Sequence, residues 1–285
     1  MKVCSIINQK GGVGKTTTTI NLGGALALMG KKVLLIDLDP QGNLSSGLNI
    51  PPEEVEKKNV YFALVGQNKL VENICPTTVE NLYVAPSNND LAGAEVELVD
   101  VSAREFRLRE SLTEHLEAFD YILIDCPPSL GLLTINALSA SDTYLIPMQS
   151  EFFVMQGLAN ILQTAKLVKK HLNPKLGEDG ILLTMFDSRS NLSKQVYQEI
   201  RSFVGDRLYS NVIPRRVRLA ESTSHGIPGV IYDPSCMGSR SYIEVAKEFI
   251  LRSQGLKLQP SEKQAVVPPD PVDRFGKKPD AETSV

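Results

Sequence analysis

Residues 8–17 of the 285-residue chain read NQKGGVGKTT, and this glycine-rich stretch decides the fold. It follows the apolar run VCSII (3–7) and leads into a segment that should be helical from about Thr16 to Gly30. Glycines let the backbone fold around an anion, and successive N–H groups at a helix start carry partial positive charge. The pattern therefore predicts a phosphate-binding loop. The expected contacts are Lys10, Gly11, Gly12, Val13, Gly14, Lys15, Thr16 and Thr17.

Two lysines and a threonine give this loop its chemistry. Lys15 should bring a full positive charge to the β- and γ-phosphates, and Thr16 is placed to bring its hydroxyl to Mg²⁺. The loop departs from the usual GxxxxGK[ST] pattern, because Gln9 replaces the first glycine and Lys10 adds a second lysine. Lys10 either reaches across a dimer interface to the partner's phosphates or is a solvated loop residue.

Short runs rich in valine and isoleucine alternate with longer amphipathic segments. This alternation is typical of βαβ units, and right-handed crossovers then give an α/β fold with a doubly wound, mostly parallel sheet and helices on both faces. Ligands of such folds bind at the carboxyl ends of the strands. The expected strands are 3–7, 32–37, 81–85, 121–125, 143–147 and 180–184, with 209–213 as a further candidate. The expected helices are 16–30, 90–99, 104–119, 131–140, 152–172, 191–204 and 240–253.

Carboxylates end two of the expected strands. Asp37 and Asp39 close the run LLIDLD, and residues two apart on a strand point to the same side, so both can face the nucleotide pocket. Helix capping or loop solvation is the alternative for this pair. Asp125 ends the apolar run YILID, from which a carboxylate reaches the metal, usually through water.

Composition narrows the class of protein. The net charge is -3, so no global positive field attracts nucleic acid. The four cysteines form no CxxC pair, which argues against structural zinc or a disulfide framework and favours a reducing cytoplasm. No apolar run approaches the roughly 20 residues of a membrane-spanning helix. We therefore expect a cytoplasmic protein.

Basic residues are concentrated late in the chain. Residues 189–252 hold ten Lys or Arg against six Asp or Glu. A local patch of this kind is sufficient for contacts with DNA phosphates. A solvated helix face is the alternative for any single residue in it. The candidate DNA contacts are Arg189, Arg215, Arg216, Arg218, Arg240 and Lys247.

The composition changes again near residue 256. Residues 256–285 contain five prolines, five basic residues and five acidic ones. Such a segment buries too little apolar surface to offset its chain entropy, and its balanced charge provides no polybasic membrane anchor. We expect a domain at 1–255 and a mobile tail at 256–285.

Five stretches in succession resemble the motifs of the ParA family of partition ATPases, within the wider ParA/MinD class. They are KGGVGKTTTTINLG (10–23), VLLIDLDPQGNLSSGL (33–48), YILIDCPPSLGLLTINAL (121–138), LLTMFDSRSNLS (182–193) and VIPRRVRLAESTSHGIP (212–228). The resemblance runs from Met1 to about Arg252. It is to a short form of the family, without an N-terminal helix-turn-helix.

The resemblance implies a P-loop NTPase that uses ATP and Mg²⁺ and turns over weakly alone. It implies an ATP-dependent homodimer around two ATP molecules, non-specific DNA binding at the nucleoid, and release when a ParB-type adaptor stimulates hydrolysis, with a plasmid or a chromosome as cargo. It assigns the attacking water to Asp39 and part of the Mg²⁺ shell to Asp37. It also places the adenine against the segments around Met185 and Pro214, for which ordinary core and turn residues are the alternative.

Two other functions are compatible with such a loop. A MinD-type membrane-surface ATPase needs a C-terminal amphipathic helix with a basic face, which residues 256–285 do not offer. A metabolic P-loop synthetase needs a small-molecule pocket and has little use for Lys10.

Overall fold

A computed structural model of the chain describes residues 1–112, 116–151, 154–215 and 217–256. The predicted tail therefore lies outside the described residues except for Leu256. Within the described ranges, one sheet of seven strands forms the centre of the molecule. The strands are β1 (Lys2–Ile6), β2 (Val33–Asp37), β3 (Cys75–Pro76), β4 (Leu82–Ala85), β5 (Tyr121–Asp125), β6 (Thr143–Gln149) and β7 (Gly177–Thr184).

The sheet is doubly wound, in the order β3-β4-β2-β5-β1-β6-β7. All neighbouring strands run parallel except the short edge strand β3, which pairs antiparallel with β4. The predicted α/β class and mostly parallel sheet are thus confirmed. The strands β2, β5 and β1 lie side by side at the centre, so their carboxyl ends meet at one edge.

Helices cover both faces of this sheet. Along β5, Ile122 and Ile124 pack into one apolar core, whereas Tyr121 and Leu123 pack into the other, because alternate side chains on a strand point to opposite faces. The α-helices of the described residues are α1 (Lys15–Leu28), α2 (Asn43–Gly47), α3 (Pro52–Lys57), α4 (Val60–Val65), α5 (Leu91–Glu97), α6 (Arg107–Ser111), α7 (Leu132–Ala140), α8 (Val154–His171), α9 (Asn191–Val204), α10 (Val217–Ser224), α11 (Gly229–Tyr232) and α12 (Met237–Ser253). The first core is closed by α4 to α9, and the second by α1, α2 and α10 to α12.

The candidate strand at 209–213 is wrong. Only isolated bridges flank it, from Leu208 to Ile181 and from Pro214 to Phe186. Between them the backbone N–H of Ser210 donates to the Glu248 carboxylate at 3.0 Å instead of to β7. The segment therefore contacts β7 near its two ends and does not continue the sheet.

The single helix predicted at 104–119 is also wrong. The described residues form a 3₁₀ turn (Arg104–Phe106), then α6, then a second 3₁₀ turn (Leu116–Ala118), and residues 113–115 lie outside them. The short helices between 43 and 65 were not predicted, because pieces of five or six residues are too short to display an amphipathic repeat. Their local signals are present, however: the Asn59 side chain accepts from the Tyr61 N–H, and Gly66 ends α4 at φ +82°.

Among the described helices, none combines the length and the apolar character needed to cross a bilayer.

Candidate active site

The glycine-rich loop connects the end of β1 to the start of α1, as predicted. Gly12 and Gly14 have φ values of +72° and +86°, which side-chain-bearing residues rarely adopt. Gly14 is the N-cap of α1 and no side chain caps that helix start. The first N–H groups of α1 are thus left for an anion. At its other end, α1 stops before Gly30, whose φ of +76° confirms the predicted left-handed terminus.

A cavity of about 710 Å³ opens over this loop. This volume is in the range of small-molecule sites. Across from the loop, the cavity is bounded by Asp39, Pro128 and Met185. The loop side is formed by Gly11, Gly12, Gly14, Lys15, Thr16 and Thr17.

Lys15 is the buried cation of this cavity. Its Nζ lies 3.3 Å from the Lys10 carbonyl oxygen, to which it donates. Burial lowers the pKa of Lys15, and the charge of Asp125 partly opposes that shift. An anionic phosphate in the cavity would replace the lost hydration and stabilise the charged ammonium.

Asp125 lies at the bottom of the site against Thr16. The Thr16 hydroxyl donates to Asp125 Oδ2 at 2.6 Å. Burial raises the pKa of Asp125 to about 8, and the neighbouring Asp37, opposite it in the β2–β5 register, adds to the shift. Ionising Asp125 in this buried position is unfavourable unless a positive charge is nearby. A divalent cation held by the Asp125 carboxylate and the Thr16 hydroxyl would stabilise the ionised form of Asp125.

The described part of the chain contains no cluster of three or more His, Cys, Asp or Glu side chains that could hold a metal ion. Mg²⁺ usually takes one or two protein oxygens and completes its shell with water and substrate phosphates. The Thr16 hydroxyl and the Asp125 carboxylate are oxygen donors of this kind, and they fit a nucleotide-bound Mg²⁺.

Asp37 and Asp39 do not face the cavity together. Asp39 lines it, whereas Asp37 is fully buried and accepts hydrogen bonds from the N–H and the hydroxyl of Ser45 at 3.0 and 2.7 Å. Burial raises the pKa of Asp37 to about 6. The expectation failed for Asp37 because β2 ends there, and the chain then turns so that Ser45 in α2 covers the first carboxylate. A place for Asp37 near the metal remains a proposal, through its neighbour Asp125.

Lys10 does not line the phosphate cavity. Its exposed ammonium pairs with the Glu151 carboxylate beside a second cavity of about 810 Å³ between the loop and α8. Its backbone N–H is held by the Asn8 side chain at 2.9 Å. The two loop lysines are thus separated, one directed inward and one outward.

Two polar residues that the loop pattern does not identify hold its backbone. Gln149 Nε2 donates to the Gly12 carbonyl at 2.7 Å, and the Thr184 hydroxyl donates to the Val13 carbonyl at 2.7 Å. Both lie at the carboxyl ends of strands, β6 and β7. The sequence shows that both residues are polar and lie at strand ends, where ligands of parallel sheets bind. Their contacts with the loop could not be predicted, because these contacts depend on the order of the strands in the sheet.

The residues expected near the adenine lie close to each other. Met185 lines the phosphate cavity and has φ +50°, an uncommon value for a residue other than glycine. Pro214 is bridged to Phe186, the next residue along. Contact of Met185 and Pro214 with a base stays a prediction.

The basic residues of the 189–252 stretch differ in their exposure and in their contacts. Arg252 is tied into the fold, donating to Glu248 Oε1 at 2.8 Å and to the Asp179 and Leu208 carbonyls, so it is unsuited to DNA contact. Of the six candidate DNA contacts, Arg189, Arg215, Arg240 and Lys247 are exposed. Of the other two candidates, Arg216 lies outside the described residues and only the backbone of Arg218 is described.

Known proteins resemble this chain over most of its length. A family model for an AAA domain matches residues 1–177. Sporulation initiation inhibitor protein Soj of Bacillus subtilis (strain 168) is 53% identical over 247 residues, covering 87% of this chain and 97% of that protein. Chromosome partitioning protein ParA of Myxococcus xanthus is 47% identical over 251 residues, covering 88% of each.

A crystal structure of cobyrinic acid a,c-diamide synthase from Mycobacterium smegmatis, with bound ATP analogue and magnesium, has the same fold. Its TM-score is 0.78 at 33% identity, over 91% of this chain and 100% of that one. The fold is therefore shared with a metabolic synthase, while the sequence is much nearer to the partition proteins. The extent of that identity shows that the chain belongs to the ParA/Soj family of chromosome-partitioning ATPases.

Proposed function

We propose that this chain is an ATP-driven DNA partition switch. Two subunits close around two ATP molecules, the dimer binds DNA without sequence preference, and a ParB-type adaptor stimulates the hydrolysis that releases it. The observation that carries the proposal is the separation of the two loop lysines. Lys15 serves the subunit's own phosphates, whereas the outward Lys10 is free of that cavity and suited to a partner's.

The proposal gives each residue of the site a role in hydrolysis. Thr16 and Asp125 would hold a Mg²⁺ ion, which neutralises charge on the β- and γ-phosphates. Lys15 and the loop N–H groups orient the γ-phosphate, and Asp39 orients the attacking water. Turnover by a single subunit is weak because each site needs Lys10 from the partner subunit. This arrangement is like an arginine finger that one protein supplies to the active site of another.

The same proposal covers organisation and location. Residues 1–255 act as the ATPase domain and 256–285 as a mobile tail. The protein works in the cytoplasm and associates with the nucleoid when ATP is bound. Its cargo is a chromosome or a plasmid.

Lys10→Ala should impair dimerisation and hydrolysis while leaving nucleotide binding to one subunit unchanged. The reason is that its ammonium lies outside the subunit's own phosphate cavity. Light scattering with a non-hydrolysable ATP analogue measures the dimer, and calorimetry measures nucleotide affinity. Lys57→Ala, an exposed lysine on α3, is the matched control. A stable, fully active Lys10→Ala dimer would make Lys10 an ordinary solvated lysine.

Replacing Arg189, Arg215, Arg216 and Arg218 by alanine should weaken DNA binding about equally for all sequences. Phosphate contacts position a protein without reading bases. Dimerisation doubles the number of neutralised phosphates, so the slope of log affinity against log salt should be about twice as steep with ATP as without. Fluorescence anisotropy over a salt series measures both quantities. Lys169→Ala with Lys170→Ala on α8 is the control.

Two results would contradict the DNA proposal. One is tight, salt-insensitive binding by the monomer without ATP. The other is strong preference for one DNA site, which indicates an operator-binding regulator.

A further inference from the structure

Three valines in and after α5 are exposed together. Val96, Val99 and Val101 are 73%, 54% and 38% exposed, although Leu91, Ala94 and Leu98 of the same segment are buried. Scattered exposed valines need no explanation, but three within six residues concentrate exposed apolar surface in one short segment. We call these three residues the valine strip.

The valine strip lies in an acidic region. Between residues 70 and 103 the chain has six Asp or Glu and no Lys or Arg, and the next residue, Arg104, donates to the Val99 carbonyl and pairs with Glu105. Glu97 and Asp100 alternate with the valines and are exposed. An apolar strip flanked by carboxylates is complementary to an apolar segment flanked by lysine or arginine.

The strip is connected to the catalytic loop through the start of α5. Just before α5, the Ser87 hydroxyl donates to the Asp39 carbonyl at 3.0 Å. The Ser87 N–H donates to the Ser45 hydroxyl at 2.9 Å, and that hydroxyl donates to Asp37. A displacement of α5 would therefore reach the backbone that positions Asp39.

A second connection leads to the loop that follows Asp125. Glu95 Oε1 lies 3.0 Å from the position that a β-carbon on Gly131 would take. The outer side of α5 is fixed as well, since the Tyr61 hydroxyl donates to the Glu97 carboxylate at 3.0 Å. The helix thus lies between the segments that carry the two site aspartates, Asp39 and Asp125.

The valine strip is also separated from the proposed DNA contacts of α12. Helix α5 packs on one face of the sheet, whereas Arg240 and Lys247 belong to α12, which packs on the other. A protein bound to the strip would leave that basic surface accessible.

We infer that the valine strip is the docking surface for the partition adaptor, which binds it with a short apolar segment flanked by basic residues. Docking moves α5 and so adjusts Asp39 from outside the nucleotide cavity. This inference rests on the proposed function and adds to it the place and the chemistry of adaptor binding.

The first test measures recognition with defined probes. Two fluorescein-labelled peptides share a Val-Leu-Ile core and carry either flanking lysines or flanking glutamates. The lysine peptide should bind the full chain with the ATP analogue and the glutamate peptide should not. The triple variant Val96→Ser, Val99→Ser and Val101→Ser should lower the affinity for the lysine peptide about tenfold or more, because it removes the apolar residues at the centre of the proposed interface. Leu167→Ser with Phe203→Ser, exposed apolar residues on α8 and α9, should have no effect.

The second test measures the consequence for hydrolysis with the purified cognate ParB-type adaptor. The triple serine variant and Asp100→Lys should keep basal turnover but lose adaptor stimulation. Glu53→Lys on α3 controls for net charge.

The outcomes separate the inference from the proposed function. If the adaptor does not stimulate the wild-type chain, the proposed function fails. If it stimulates the wild type and the strip variants equally, the inference alone is overturned. If the strip variants lose nucleotide-dependent dimerisation, the strip is a contact between two copies and the inference is also overturned.

Discussion

Lys15→Ala is expected to abolish measurable ATP binding, with an affinity loss of about 100-fold or more. The substitution removes the only side-chain cation that lines the phosphate cavity among the described residues. The glycines and the start of α1 remain, so the chain should fold and keep weak anion affinity from its N–H groups. Calorimetric titration with Mg-ATP measures the loss, and circular dichroism checks the fold.

Lys10→Ala is the matched control for that experiment, because it removes a lysine from the same loop but not from the cavity. It should bind ATP like the wild type. Unchanged affinity in the Lys15→Ala variant would remove the basis for the whole nucleotide site.

Asp39→Ala should retain ATP binding but lower the rate of ATP hydrolysis by about 100-fold or more. The variant should therefore remain on DNA as an ATP-bound dimer. A group that orients the attacking water contributes to the transition state more than to the ground state. Asp39 lines the cavity, whereas Asp37 is covered by Ser45, so Asp37 cannot take over the role of Asp39 from its present position. Phosphate release and DNA retention after ATP addition measure the two effects.

Asp39→Asn tests whether the negative charge of Asp39 is what hydrolysis requires. The amide can still accept from the Gln41 N–H, which donates to the Asp39 carboxylate at 3.0 Å, so the local turn should persist. Loss of hydrolysis in both variants assigns the effect to the charge. Normal turnover in either variant would move the catalytic role to another group.

The sheet and the phosphate loop were predictable because their signals are local. Apolar runs predicted six of the seven strands that the described residues form, and the order of strand, glycines, Lys-Thr and helix predicted the loop that starts α1. The edge strand β3 was missed since two residues, one of them Pro76, have no strand periodicity.

The parts of the site that failed or were missed depend on contacts distant in sequence. The pairing of Lys10 with Glu151 spans 141 residues. The burial of Asp37 depends on Ser45 in α2, a helix too short to show a repeat. Arg252, one of the ten basic residues counted between 189 and 252, is held within the fold by carbonyls of β7 and the following loop. Charge counts along a chain cannot distinguish an arginine bound within the fold from an exposed one.

The central claim is most directly tested by co-sedimentation of the wild-type chain with long DNA or with anionic phospholipid vesicles, each with ADP or a non-hydrolysable ATP analogue. We predict that the chain pellets with DNA only when the analogue is present, that added salt releases it, and that vesicles do not pellet it. Pelleting with vesicles, or equal pelleting with DNA in ADP, would contradict an ATP-dependent DNA partition switch.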